Sequence, residues 1–351
     1  MNATKNNPAK QTLGEDEIAL YDRQIRLWGL EAQTNIRSAR VLLINVGAIG
    51  TEITKNIVLS GVGHFSILDN NHVVTEEDLG SQFFLTSADV GKPRIDTIKD
   101  KIVDLNPRVN FSIETDTFEN LISKNNSNYD IVIGTELTKD QIIQLNWWTR
   151  SNNTPLYVAG SNGLFGYIFV DLIQFDSRDK KLQSIKQSAL GSISPNKEIV
   201  SLEVTIDPEE PKKIYENLVT KNKYVPFEKL LCTATLEGKL TKRQLKRVSP
   251  ILPLTLTYLK DTNMVSSNVS LFREELENTC EQLRIDPNLI LKPEYVEQFI
   301  KQNGVEFSPV AAVLGGAVSQ DVINILGKKQ QPLNNFIIFD GVTLDMPIFE
   351  F

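Results

Sequence analysis

Arg40-Val41-Leu42-Leu43-Ile44-Asn45-Val46-Gly47-Ala48-Ile49-Gly50-Thr51-Glu52-Ile53 decides how this chain folds. A short apolar run, a tight turn and the start of a helical pattern follow one another, which is how a buried strand feeding a helix looks in sequence. In a Rossmann-type sheet such a turn presents backbone N–H groups to phosphate. The glycine positions of G-x-G-x-x-G read Asn45, Gly47 and Gly50 here. About twenty residues on, the predicted strand Phe65–Leu68 ends in the acid, Asp69, that this fingerprint places there. The framework is present, and several of its nucleotide-binding groups are not.

Outward from this unit the chain keeps a βαβ rhythm. Gly61-Val62-Gly63 makes the return turn, a helix follows Lys92-Pro93, and strands are predicted over 109–114 and 129–133. A helix over 137–150, a strand over 155–159 and β alternation over 166–175 come next. Strands alternating with helices predict an α/β fold with a Rossmann-like, doubly wound, mostly parallel sheet. Upstream, Ile18, Tyr21, Ile25 and Trp28 recur every three or four residues, predicting one helix face that Gly29 ends. From 176 to 304 charged, helix-forming stretches punctuated by proline replace the buried strands and predict a mainly helical insertion. A small-residue helix over 309–323 and a strand over 336–341 then return to the first unit. The domains read as a disordered 1–12, a Rossmann-like unit over 13–175 and 305–351, and the insertion over 176–304.

Composition narrows the function. Hydrophobic residues make up 41% of 351, enough for a large core, and the net charge of −7 disfavours broad binding to nucleic-acid backbone. No run is read as the roughly 18–20 apolar residues of a membrane span. Cys232 and Cys280 form no C-x-x-C pair, and His64 and His72 lack companions at metal-ligand spacing, so no metal site is expected and the location reads as intracellular. Each cysteine reads as a small buried hydrophobe, or as a thioester nucleophile. Lys239, Lys242, Arg243, Lys246 and Arg247 read first as a solvated helix face, then as a nuclear-import or acidic-partner surface.

Several medium-length motifs in order carry a resemblance. Tyr21-Asp22-Arg23-Gln24-Ile25-Arg26-Leu27-Trp28-Gly29, Asp89-Val90-Gly91-Lys92-Pro93-Arg94, Leu105-Asn106-Pro107 and the 309–340 return resemble the adenylating enzymes that activate ubiquitin-like proteins. In length the chain is similar to the small subunit of the heterodimeric SUMO-activating members. That resemblance implies a regulatory, pseudo-adenylation subunit, inactive alone, located in the nucleus and also the cytoplasm. A larger catalytic partner would bind ATP and Mg2+ and carry the thioester cysteine, with SUMO and a SUMO-conjugating enzyme downstream. Neither nucleic acid nor membrane is implied as a partner. It further implies that Arg23 reaches the γ-phosphate in the partner's ATP site, where a planar cationic fork is suited. From pattern alone Arg23 is a solvated helix arginine or a partner of Asp22 or Glu31. Arg26 is a weaker candidate for the same contact.

The departures from the active pattern are specific. The loop reads Asn45-Val46-Gly47-Ala48-Ile49-Gly50, the phosphate-facing arginine is replaced by Ser81, and the downstream lysine by Arg94. Gly134-Thr135-Glu136-Leu137 stands where the magnesium-binding aspartate belongs. Ala48 adds a Cβ beside the expected phosphate, and Asp78 is expected to bring an acid to it. Gly47 and Gly50 read as packing glycines, Asp69 as a ribose ligand or a turn cap, and Gln82 as structural. Asn45, Gly47, Gly50 and Asp69 are therefore vestigial, with no cofactor expected in the chain's own pocket. The competing readings are the regulatory half of a NEDD8-type enzyme, a homodimeric adenylyltransferase for a sulfur-carrier-like protein, an NAD-dependent Rossmann oxidoreductase, and a pure scaffold.

Overall fold

The computed structural model describes residues 13–69, 72–185, 187–327 and 331–351. The 1–12 segment and Asn70-Asn71 lie outside the described residues. Two short helices, α1 (Glu15–Leu20) and α2 (Asp22–Trp28), lead into α3 (Leu30–Ser38). The expected βαβ unit follows as β1 (Arg40–Ile44), α4 (Ala48–Leu59) and β2 (His64–Leu68). Then come α5 (Arg94–Leu105), β3 (Asn110–Ile113), α6 (Phe118–Ser123), β4 (Ile131–Thr135), α7 (Lys139–Ser151), β5 (Leu156–Asn162) and β6 (Phe165–Asp171).

The central sheet runs β12-β11-β6-β5-β4-β1-β2-β3, where β11 is Phe336–Asp340 and β12 is Ile348–Phe349. From β3 to β5 all neighbours are parallel, whereas β6, β11 and β12 add antiparallel strands at one side. Val41, Leu42 and Leu43 of β1 are fully buried, as a strand covered on both faces requires. Strand order reverses between β1 and β4, and a doubly wound sheet opens its ligand crevice at such a point.

The insertion is not helical throughout, contrary to the sequence expectation. It opens with an antiparallel sheet ordered β7-β10-β9-β8, made of β7 (Gln174–Leu182), β8 (Gly191–Ser194), β9 (Lys197–Ile206) and β10 (Ile214–Lys223). Much of β7 and β9 is exposed and charged, so these strands lack the buried apolar run that marks the central ones. Helices follow: α8 (Phe227–Thr233), α9 (Lys242–Leu245), α10 (Ile251–Lys260), α11 (Met264–Ser267), α12 (Val269–Leu283), α13 (Pro287–Ile290) and α14 (Pro293–Lys301).

The chain then returns through α15 (Ser308–Gly327). By length and composition α15 is apolar enough to cross a membrane, which the sequence reading did not credit to any run; here 61% of it is buried within the fold. It crosses α4 so closely that a Cβ on Gly315 would lie 2.6 Å from the Cβ of Glu52, while Gly316 faces open space. Gly315 therefore serves packing inside the chain.

The N-terminal helix also departs from expectation. It breaks at Tyr21, and of the predicted stripe only Tyr21 is buried; Ile18 is 38% exposed and Leu27, off the stripe, 80%. The helix pair is held by one buried aromatic together with polar contacts, the Glu17–Arg37 ion pair at 2.8 Å and the Gln24 hydrogen bond to the Leu59 carbonyl at 3.1 Å. The Tyr21 hydroxyl accepts a hydrogen bond from Asn106 Nδ2 at 2.9 Å, and its ring packs against Gly61. The rest of the helix pair stands on the surface.

Candidate functional site: a self-closed glycine turn

The site forms at the C-terminal ends of β1, β2 and β4. Asn45 takes the first glycine position in a left-handed conformation (φ 62), which asparagine tolerates better than most residues. Its Nδ2 donates to the Thr135 carbonyl at 2.9 Å, and Thr135 Oγ1 donates back to the Asn45 carbonyl at 3.0 Å. This exchange holds the β1 turn against the β4 turn. A Cβ on Gly50 would sit 2.8 Å from the Asn45 carbonyl oxygen, so Gly50 is a packing glycine as the sequence suggested.

The backbone donors of the turn are already engaged. Gly47 N–H donates to Glu136 Oε2 at 3.1 Å, and Ala48 N–H donates to Glu306 Oε1 at 2.9 Å. Both lie at the N-terminus of α4, where aligned peptide dipoles favour negative charge. A Cβ on Gly47 would come within 2.4 Å of the Glu136 carboxyl, so this glycine admits a carboxylate. Ser81, at the position of the missing arginine, donates its hydroxyl to Glu306 Oε2 at 2.9 Å. Burial foremost, and then the nearby Glu136 charge, push the Glu306 carboxyl above its ordinary pKa, against the hydrogen bonds it accepts.

Arg94 is buried rather than offered to a ligand. Its guanidinium makes a two-point pair with Asp69, Nε–Oδ2 at 2.7 Å and Nη2–Oδ1 at 2.9 Å, and Nη2 reaches Glu136 Oε2 at 2.8 Å. Burial pulls its pKa down, but the Asp69 hydrogen bond and the charges of Glu136 and Asp69 outweigh this and raise it. Asp69 is the counter-ion of Arg94.

Asp78 does not approach the turn's donors, which corrects the sequence expectation. Its carboxylate accepts from the Thr75 N–H (2.7 Å) and hydroxyl (2.9 Å), from Gln82 Nε2 (2.8 Å), and lies 3.0 Å from His72 Nε2. Burial raises its pKa, yet the His72 and Thr75 hydrogen bonds prevail and hold it below the usual range. The acids at the glycine turn are Glu136 and Glu306. Sequence reading noted Glu136 only as an absent aspartate and passed over Glu306, which lies 258 residues from its partner Ala48 with no local pattern to mark it.

Beside the turn a cleft of about 330 Å³ is lined by Ile44, Leu68, Phe118 and Leu137 with Asp69 and Glu136. Three phosphates brought to this turn would meet carboxylate oxygens where their own must lie. The residues present therefore do not fit Mg·ATP.

Arg23 of α2 does not line this cleft; it is exposed and without a hydrogen-bond or ion-pair partner among the described residues, and neither Asp22 nor Glu31 holds it. Arg26 instead pairs with Asp22 at 2.9 Å. Cys280 is buried with its thiol pushed up to about 12, first by burial, whereas Cys232 is exposed. Of the basic run, Lys239 donates to the Glu350 carbonyl at 2.8 Å and the other four are exposed.

Comparison with known proteins places this geometry. The ThiF family matches residues 21–351, the insertion included. A Saccharomyces cerevisiae protein named DNA damage tolerance protein RHC31 is 55% identical over 344 residues, covering 97% of this chain and 99% of that one. A human protein named SUMO-activating enzyme subunit 1 is 30% identical over 340 residues, 94% of each chain. Among solved structures, E. coli MccB superposes with a TM-score of 0.54 at 16% identity, covering 98% of this chain and 72% of that one. The PaaA structure gives 0.55 at 13%, covering 99% and 77%. At such identities the structural likeness speaks for the fold alone.

Proposed function

This chain belongs to the ThiF family, and on that premise we propose that it is the regulatory small subunit of a heterodimeric SUMO-activating enzyme. In this reading a larger subunit binds ATP and Mg2+, the pair adenylates the SUMO C-terminus, and the modifier passes to a cysteine of the larger subunit. A SUMO-conjugating enzyme receives it next. The observation that carries the reading is end-to-end kinship with a protein named SUMO-activating enzyme subunit 1, at 30% identity over 94% of both chains.

The closed glycine turn supports the division of labour, because its N–H donors are held by Glu136 and Glu306. Arg23 is the residue this chain would lend. It is exposed and uncommitted, and its planar fork matches a terminal phosphate. A nuclear location with a cytoplasmic share belongs to the same reading; imaging that finds the chain excluded from nuclei removes that part.

SUMO-dependent ATP–pyrophosphate exchange tests the proposal. The isolated chain should show none, and the reconstituted heterodimer should show it. Arg23→Ala should slow adenylation by about 10²–10³-fold, the cost of one lost transition-state cation, with heterodimer affinity unchanged. Substantial exchange by the chain alone sinks the assignment, and an unchanged rate removes Arg23 from the chemistry. Exchange that answers to NEDD8 and not to SUMO moves the chain to the related enzyme.

A further inference from the structure

An N–H pair at a helix start is an ordinary phosphate-binding arrangement, and in this protein the pair is intact. Gly47 and Ala48 head the twelve-residue helix α4 just beyond β1, which pairs with β4. What occupies them belongs to the chain itself. Glu136 reaches them from the turn after β4, and Glu306 from the residues just before α15. Ser81 Oγ donates to the other oxygen of Glu306, and Arg94 Nη2 donates to the same Glu136 oxygen that Gly47 uses, so each carboxylate has a second donor holding it.

We propose that Glu136 and Glu306 are internal substitutes for phosphate: they hold the glycine turn in its loaded geometry without ligand and are the direct reason it refuses one. Local charge agrees with this. One guanidinium, Arg94, pairs with two carboxylates, those of Asp69 and Glu136, and Glu306 brings a third acid to the turn, so an incoming anion meets a surplus of acids over cations. Space agrees as well, since the Glu136 carboxyl lies where even a methyl group on Gly47 would collide. The two acids thereby lock a latent site for inorganic phosphates, and truncating them re-opens it. This inference concerns the chain by itself and does not depend on which modifier the heterodimer activates.

The test uses the full chain, isotope-labelled, and inorganic pyrophosphate at constant ionic strength, read by calorimetry and by the amide resonances of Gly47 and Ala48. Wild type should bind none, and neither resonance should move. Glu136→Ala/Glu306→Ala frees both N–H donors, the Ser81 hydroxyl and one edge of Arg94. Pyrophosphate should then bind at least about a hundredfold more tightly than the detection limit that wild type does not reach, near tenfold for each of the two freed N–H donors, and both amides should shift. Glu136→Gln/Glu306→Gln keeps the space filled, so it should stay closed; this separates occupancy from charge. If the double alanine variant does not fold, Glu306→Ala alone should show a partial gain at Ala48. Pyrophosphate binding by wild type through these amides overturns the proposal. So does a folded alanine variant, single or double, that gains no affinity.

Discussion

Arg94 and Asp69 form a two-point ion pair inside the fold, 2.7 and 2.9 Å apart, with the arginine 1% and the aspartate 3% exposed. The planar fork spans both carboxylate oxygens, and its remaining edge reaches Glu136. A long cationic side chain beside the glycine turn is thus part of the core. Arg94→Ala strands the Asp69 charge in an apolar setting and should cost about 3–5 kcal/mol. Urea unfolding measures it; a loss below about 1 kcal/mol would mean that Asp69 is solvated after all.

A second buried acid makes stability depend on pH. Asp321 of α15 accepts from the Tyr157 hydroxyl at 2.6 Å and from the Leu333 N–H at 3.2 Å, and burial raises its pKa from 3.8 to about 6. A carboxyl whose pKa is higher folded than unfolded contributes its full stability below the unfolded value. That contribution is lost as pH rises through about 6. An asparagine side chain at this position would retain an acceptor without the charge. The stability difference between Asp321→Asn and wild type should therefore grow in the variant's favour by about 2–3 kcal/mol from pH 4 to 7.5. Denaturation curves that differ by the same amount at both pH values contradict this.

Tyr21 is the buried side chain through which the N-terminal helix pair docks, beside the Glu17–Arg37 ion pair at 2.8 Å and the Gln24–Leu59 hydrogen bond at 3.1 Å. Gly61 has φ +80, and a Cβ there would lie 2.5 Å from the Tyr21 ring. Gly61→Ala combines backbone strain with that collision and should cost about 1–3 kcal/mol. Hydrogen exchange should quicken in 15–28 more than in β1. Uniform protection across the chain would show that Tyr21 is not the anchor.

Arg23 separates function from fold. Being exposed and without a partner among the described residues, it should contribute within about 0.5 kcal/mol to stability, so Arg23→Ala and wild type should melt together. A melting shift of several degrees would mean that Arg23 supports its own chain, and any rate loss in the heterodimer would then lack a specific cause.

Much of this was legible in residues that sit close together in sequence. The run Val41–Ile44, the turn at Asn45-Val46-Gly47 and the strand ending at Asp69 specify a parallel βαβ unit because apolar period, turn chemistry and helix start agree locally. The sheet over 174–223 was not legible, since the buried positions of β10 include Glu216, Thr220 and Asn222 while Val200, Val204 and Ile206 of β9 are exposed, so no buried apolar run marks it. Glu306 was not legible either, because a carboxylate's role depends on which N–H it meets.

The amino-acid order alone therefore determined that this chain builds a nucleotide-type sheet and glycine turn, because strand, turn and helix preferences act over a few residues. Only the tertiary structure decided what that turn holds. Glu306 is brought to Ala48 from the far end of the chain and Arg94 is turned into the core toward Asp69, contacts set by how distant elements pack and not by spacing in sequence.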